Sequence, residues 1–331
     1  MTLGARSADE PVLLSTWPTP LERAPRLAVR LGLAADDLWI KRDDLTSLGG
    51  GGNKIRKLQY TCADALRAGA TTLVTSGAAQ SNHARLTAAA AARLGLKCVL
   101  VLGSQPPSVT QGNLVLDQLA AASLVWAGHL EPQALHDRVL AAADHARDRG
   151  EVPYVVPFGG SSSLSALGYV DAAVELEAQL PGIDQVVVAV GSGGTMAGLV
   201  AQLGVRRVVG IDTGAVPDAA SAVRDIVEGM SSPLAGVDGL AGLDGLDGLQ
   251  INRNQVGDGY ATLTAAARDA MLLAARTEGL FLDPTYTARA LAGLAELVAD
   301  GQVVAGQRTV FLHTGGLPGL FGHPQLGELL G

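Results

Sequence analysis

The chain has 331 residues, 48% of them hydrophobic and only 17% charged, which excludes a largely disordered chain and leaves enough apolar material for a sizeable core. Its length allows about two domains at roughly 100–200 residues each. A net charge of −8 argues against nucleic acid and anionic membranes as partners and fits a small-molecule enzyme. No apolar run reaches about 18 residues and the first ten residues hold no apolar signal core, so no membrane span and a reduced cytoplasmic location are expected. The two cysteines, Cys62 and Cys98, lie in segments that read as a helix and a strand; they form no metal or redox motif, and no disulfide framework is expected.

Apolar β-rich runs alternate along the chain with Ala- and Leu-rich helical stretches. A strand is expected over 71–75, a helix over 84–94, a strand over 97–102, a helix over 112–121 and a short strand over 123–126. A helix over 135–149 and a strand over 152–156 follow, then a helix over 164–179, a buried strand over 185–190 and a helix over 195–203. The pattern continues with a strand over 207–212, helices over 219–228, 264–277 and 287–300, and a last strand over 309–313. Such a rhythm predicts an α/β fold, a parallel sheet with helices on both faces. The stretch 234–249 breaks it with recurring Asp-Gly pairs at Asp238, Asp244 and Asp247. Their spacing matches no calcium-loop pattern, and a surface loop is expected there.

In open α/β sheets ligands bind outside the carboxyl ends of the strands, so the strand-to-helix turns are the places to look for chemistry. Gly191-Ser192-Gly193-Gly194-Thr195 follows a strand and opens a helix. Backbone N–H groups there make an anion site, glycines admit an oxyanion closely, and Ser192 and Thr195 add hydroxyls. A dinucleotide fingerprint would need glycine where Met196 stands, so the turn reads as a cradle for one phosphate, or as a tight packing turn. Gln80-Ser81-Asn82-His83 opens another helix; Ser81 and Asn82 suit helix caps, but four polar side chains in a row favour a carboxylate-binding turn. His313-Thr314-Gly315-Gly316 ends the last strand in a similar polar turn. Lys54 follows Gly49-Gly50-Gly51-Gly52-Asn53, which reads either as a flexible surface loop or as a phosphate loop; flanked by Asn53 and Ile55, it does not fit a P-loop. Tyr260 and Tyr286 each follow a turn signal and stand as core aromatics or site residues.

Together with Trp39-Ile40-Lys41-Arg42-Asp43-Asp44, Asn53-Lys54-Ile55-Arg56-Lys57-Leu58, Pro157-Phe158-Gly159-Gly160-Ser161 and Asp283-Pro284-Thr285-Tyr286-Thr287, these turns occur in an order that covers nearly the whole chain. The chain resembles the D-cysteine desulfhydrase / 1-aminocyclopropane-1-carboxylate deaminase family of pyridoxal-phosphate enzymes. The resemblance implies a tryptophan synthase β-like architecture (fold type II): two three-layer αβα domains with parallel-rich sheets. It places a large domain at 1–57 and 163–331, a small one inserted at 58–162, and a homodimer. It makes Lys54 the Schiff-base lysine of pyridoxal 5′-phosphate. The cofactor's phosphate falls to Gly191, Ser192, Gly193, Gly194 and Thr195, with Asn53 beside them, and its phenolic oxygen to Asn82. Ser81, with Asn82 and His83, takes the carboxylate of a small amino acid; Tyr260 and Tyr286 line the substrate side. Thr287 faces the pyridine nitrogen, with Thr314 near it.

The implied reaction is α,β-elimination, giving pyruvate, ammonia and sulfide from a substrate such as D-cysteine. Cysteate sulfo-lyase, 1-aminocyclopropane-1-carboxylate deaminase, and β-replacement or racemase chemistry are the alternatives. Thr287, Thr314 and His83 stand where the cyclopropane-opening enzymes carry glutamate, leucine and glutamine, and so favour the desulfhydrase-like branch. A threonine cannot protonate the ring nitrogen as a carboxylate partner does, and a good leaving group tolerates the weaker electron sink. Gln59, Leu86, Ser162, Met196 and Ala288-Arg289 depart from that branch, and Leu86, Ser162 and Met196 are expected near the cleft.

Overall fold

The computed structural model describes residues 10–230, 245–260 and 262–329. Most of the 234–249 stretch expected as a surface loop lies outside them; within the described part, residues Leu246–Gly248 form a short 3-10 turn. The strands are β1 (Leu21–Arg23), β2 (Leu38–Lys41), β3 (Thr72–Gly77), β4 (Lys97–Leu102), β5 (Ser123–Trp126), β6 (Pro153–Val155), β7 (Gln185–Val190), β8 (Val208–Asp212), β9 (Gln250–Asn252) and β10 (Thr309–Leu312). They form a six-stranded sheet in the order β1-β2-β10-β7-β8-β9 and a four-stranded sheet in the order β5-β4-β3-β6. The β1–β2 pairing is antiparallel and the others are parallel.

The helices are α1 (Pro25–Leu31), α2 (Lys54–Arg67), α3 (Asn82–Leu94), α4 (Asn113–Leu119), α5 (Pro132–Asp148), α6 (Ser163–Gln179), α7 (Gly194–Leu203), α8 (Ala219–Met230), α9 (Ala265–Glu278), α10 (Thr287–Ala299) and α11 (Leu317–Leu320). Both sheets are covered on two faces, and the period-2 alternation of strand side chains shows how. In β7, Val187 and Ala189 pack towards α1, α9 and α10, whereas Val186, Val188 and Val190 pack towards α6, α7 and α8. In β4, Cys98, Leu100 and Leu102 face α2 and α3, whereas Val99 and Val101 face α5. The cysteines are free and buried in these cores, as expected. No described helix is long and apolar enough to cross a membrane.

The pattern expected from the sequence is found, with bounds shifted by a few residues. The elements it did not anticipate are β1, α1, β2, β9 and α11; of α2 it anticipates only that Cys62 lies in a helix. The inner face of α2 carries Arg56, Lys57 and Gln59, all buried along with the apolar Ile55, Leu58 and Cys62. What holds that face is charge. Arg56 donates from Nε to Asp43 Oδ2 (2.8 Å) and from Nη1 to Glu175 Oε2 (3.0 Å), and its guanidinium lies 4.1 Å from the Trp17 ring centroid. Tyr169 donates to Asp43 Oδ2 (2.5 Å), and Lys41 pairs with Glu175. Burial by itself raises the pKa of Asp43, but Arg56, through its charge and its hydrogen bonds, more than offsets this and keeps the carboxyl below its ordinary value. The network ties α2 to the segment after β2 and to α6.

Removing one partner of a buried ion pair leaves the other charge unpaired, so Arg56→Ala is expected to cost about 3–5 kcal/mol. Urea unfolding should show a lower midpoint, and a loss below about 1 kcal/mol would mean that apolar packing anchors α2 instead.

Candidate active site

The parallel strands of both sheets deliver their carboxyl ends to one cleft. β3 runs into Ala78 and the start of α3, β7 into Gly191 and the start of α7, and β10 into Thr314. A cavity there is lined by Asn53, Lys54, Ser81, Asn82, His83, the whole run Gly191 to Thr195, Tyr260, Tyr286 and Thr314, so residues from distant parts of the sequence meet in it. It is also lined by Lys57, Gly159, Met196 and the apolar Leu130, Leu135 and Phe158.

Lys54 is the first residue of α2 rather than part of a loose loop. Gly49 to Gly52 before it have φ of 58°, 82°, 75° and 133°, a left-handed run that side-chain-bearing residues adopt only with strain. A Cβ on Gly51 would meet the Asp44 carbonyl oxygen at 2.0 Å. The run ends where Asn53 donates its N–H to Thr314 O (3.0 Å) and its side-chain amide to Thr195 Oγ1 (3.0 Å). Lys54 Nζ donates to Gly159 O at 3.1 Å, and Lys57 Nζ donates to the same oxygen at 2.8 Å and to Ser161 Oγ at 2.7 Å. Among the described residues no Asp or Glu lines the cavity. Burial pushes the Lys54 ammonium down to about 8. Burial, and then the charge of Lys54, holds Lys57 well below the ordinary lysine value.

Two helix N-termini face the lysines. At α7, Gly193 takes φ 87° as the residue before the helix, and Gly194 donates its N–H to Ser161 Oγ (3.2 Å). Ser161 Oγ also lies 2.7 Å from Ser192 Oγ. The N–H groups of the first turn have no partner within the helix and point at the cavity end. A Cβ on Gly194 would sit 2.7 Å from Ser161 Oγ and 3.3 Å from Lys57 Nζ, so this approach needs glycine. At α3, Ser81 is a true cap: its Oγ accepts from Ala84 N–H (3.1 Å). That leaves the Asn82 and His83 amides at the first turn facing the cavity.

Four expectations change. The His83 imidazole is 2% exposed and held by a buried threonine: Nε2 lies 2.9 Å from Thr75 Oγ1, whose own hydroxyl donates to Val156 O (2.9 Å). Burial, with Lys54 and Lys57 adding to it, pushes the imidazole well below its ordinary value, so it is neutral. Thr287 does not line the cavity; it donates to Asp283 Oδ1 (2.7 Å) and is fully buried at the start of α10. It cannot face a ring in the cavity while Asp283 holds its hydroxyl, and the threonines on the wall are Thr195 and Thr314. Leu86 packs under the glycine run, and Ser162 caps α6 through Ser165, so of the three departures expected near the cleft only Met196 lines it. Asn82 Oδ1 accepts from Asn113 Nδ2 (3.0 Å), which fixes its amide. Tyr260 and Tyr286 join hydroxyl to hydroxyl, their rings edge to face at 5.8 Å. Burial raises both phenols above their ordinary value, so both stay protonated. The residue that sequence reasoning misses is Lys57; its signal is a second lysine one helical turn after Lys54.

Comparison with known proteins agrees with this geometry. The family model of the pyridoxal-phosphate dependent enzymes matches residues 12–315, and the chain belongs to that family. The D-cysteine desulfhydrase of Salmonella paratyphi B (strain ATCC BAA-1250 / SPB7) is 39% identical over 325 residues, 93% of this chain and 95% of that protein. The crystal structure of an ACC deaminase homologue superposes with a TM-score of 0.86 at 34% identity, covering 97% of this chain and 95% of the other. Threonine deaminase isoform 2 from Solanum lycopersicum shares the fold, with a TM-score of 0.65 at 17% identity over 97% and 83% of the two chains. The cofactor is therefore pyridoxal 5′-phosphate. The residues present fit it: a glycine-lined helix N-terminus with two hydroxyls suits a phosphate, and two buried lysines without a carboxylate lack the anion that a phosphate brings.

Because only a free amine attacks an aldehyde, the rate at which cofactor-free protein captures pyridoxal phosphate should rise with pH through about 8 and then level off. Stopped-flow absorbance measures this; a midpoint near the ordinary lysine value of 10.5 would show Lys54 solvated rather than buried.

Proposed function

We propose that this protein is a carbon–sulfur lyase that acts on D-cysteine, with water, to give pyruvate, ammonia and sulfide. The observation that carries the reading is the pairing of Lys54 with two helix N-termini, one built for a phosphate and one for a carboxylate. The 39% identical desulfhydrase supports the substrate.

The α7 amides, with Ser192, Thr195 and Lys57, would hold the cofactor's phosphate, and Lys54 would hold its aldehyde carbon. When bound, pyridoxal phosphate supplies an electron sink conjugated to the substrate Cα. The α3 amides of Asn82 and His83 receive the substrate carboxylate, with Ser81 fixing their direction. Lys54, an amine near neutrality because of its burial, carries the proton at Cα. The Tyr260–Tyr286 pair, protonated throughout the neutral range, presents a hydroxyl to the departing sulfur.

Charge in the cavity separates the alternatives. With no described carboxylate on its wall, the cofactor's ring nitrogen has no acid partner there, which suits a thiolate leaving group better than a cyclopropane ring. A cysteate sulfonate would add a fixed anion to a cavity whose lysines are already matched by a phosphate, against Leu130, Leu135 and Phe158. The division at 58–162 follows the sheets, since β3 to β6 all fall inside that range. A cytoplasmic homodimer completes the reading on the strength of the family resemblance, and sedimentation measures its mass.

D-cysteine should yield sulfide and pyruvate in equal amounts, with a higher kcat/KM than cysteate. Lys54→Ala should lower the rate by about 100- to 10,000-fold. A new amino acid formed from an added nucleophile, with no pyruvate, would replace elimination by β-replacement; cysteate as the better substrate would overturn the charge argument.

A further inference from the structure

The glycine run before Lys54 has a polar problem. The Gly49 and Gly51 carbonyls need partners that this left-handed run does not itself supply, whereas Gly52 O accepts from Thr46 Oγ1 (3.1 Å) and Ile55 N–H (3.3 Å). Glycine also has the most conformational freedom to lose, so such a run stays in one shape only if something holds it. The holder is Arg85. It is 1% exposed, and it reaches out from α3 to donate from Nη1 to Gly49 O and Gly51 O (3.1 Å to the latter) and from Nη2 to Gly51 O (3.0 Å). The carboxyl acting on its charge is Asp117 of α4, also 1% exposed, whose oxygens make no hydrogen bond among the described residues. The guanidinium is thus left to the carbonyls. Leu86, the next residue, packs its methyl groups under Gly49 and Gly52.

Arg85 lies three residues after Asn82, in the first turn of the helix whose N-terminal amides face the cavity. One helical turn therefore touches both the carboxylate turn and the loop that delivers Lys54. We propose that Arg85 is a positioning residue for Lys54: its guanidinium clamps the Gly49 and Gly51 carbonyls and locks the lysine's loop to the helix that receives the substrate. A planar fork spans two carbonyls at once, which the point charge of a lysine does not. The inference rests on Lys54 being the cofactor's lysine, but not on D-cysteine being the substrate.

Hydrogen exchange on the holoenzyme tests it directly. The Gly51, Gly52 and Asn53 amides donate to Leu48 O, Thr46 Oγ1 and Thr314 O, and in the wild type they should exchange as slowly as the interior of α3. In Arg85→Lys and Arg85→Met these amides should exchange faster while those of both sheets stay unchanged. The kcat should fall about tenfold to a hundredfold with KM within about threefold, less in Arg85→Lys than in Arg85→Met, and pyridoxal phosphate should dissociate more readily. Unchanged exchange at Gly51–Asn53 in a folded variant overturns the proposal. So does rapid exchange of those amides in the wild type, a result that needs no variant to fold. If D-cysteine proves not to be the substrate, the exchange and cofactor-affinity measurements still decide.

Discussion

Two lysine amino groups, those of Lys54 and Lys57, converge on one carbonyl oxygen, that of Gly159, in a cavity with no described carboxylate on its wall. Burial makes both charges costly, and the charge of Lys54 makes that of Lys57 costlier still. An ordinary protein interior relieves such a strain by placing an acid nearby. Here the relief is deferred to a ligand. Lys54 gives up its proton near pH 8, which would let it bond an aldehyde, and a bound phosphate would restore the charge on Lys57. The glycines, the helix N-termini and the packing of α2 all serve that arrangement.

Its neighbour shows the opposite solution. On the same helix, Arg56 is also buried, but Asp43 and Glu175 surround it and Tyr169 and Trp17 close over it. That charge is fully matched within the chain, so it anchors α2 rather than reacting. A single residue, Ile55, separates Lys54 from the anchored arginine, and the helix turns them towards different surroundings. The contrast explains how one short helix can be rigid in the core and reactive at its tip.

Much of the α/β rhythm and most of the site are legible in the sequence. The apolar runs at β4 and β7 stand out by composition, because a strand covered on both faces is hydrophobic at every position after its first residue here. The Gly191–Thr195 turn is legible because glycines between a strand and a helix mark either a tight turn or a close approach to an anion. What the sequence does not show is polar burial. Arg56, Lys57, Arg85 and Asp117 carry charges that a pattern reading assigns to a surface, yet all are buried. Thr287 misleads for a related reason: its position in a motif does not reveal that Asp283 takes its hydroxyl.

The sequence by itself determined the kinds of residue available and their local shapes: a lysine after glycines that tolerate left-handed backbone, capping residues at helix starts, and strands that alternate between two cores. These depend on neighbours in the chain, so a linear reading reaches them. Only the tertiary structure decided which side chains meet. That Lys57 joins Lys54 at Gly159, that His83 turns to Thr75, and that Arg85 grips the loop from another helix are contacts across 102, 8 and 34 residues of chain. Charge and hydrogen bonding act through space, and their strength is set by burial that no single segment contains.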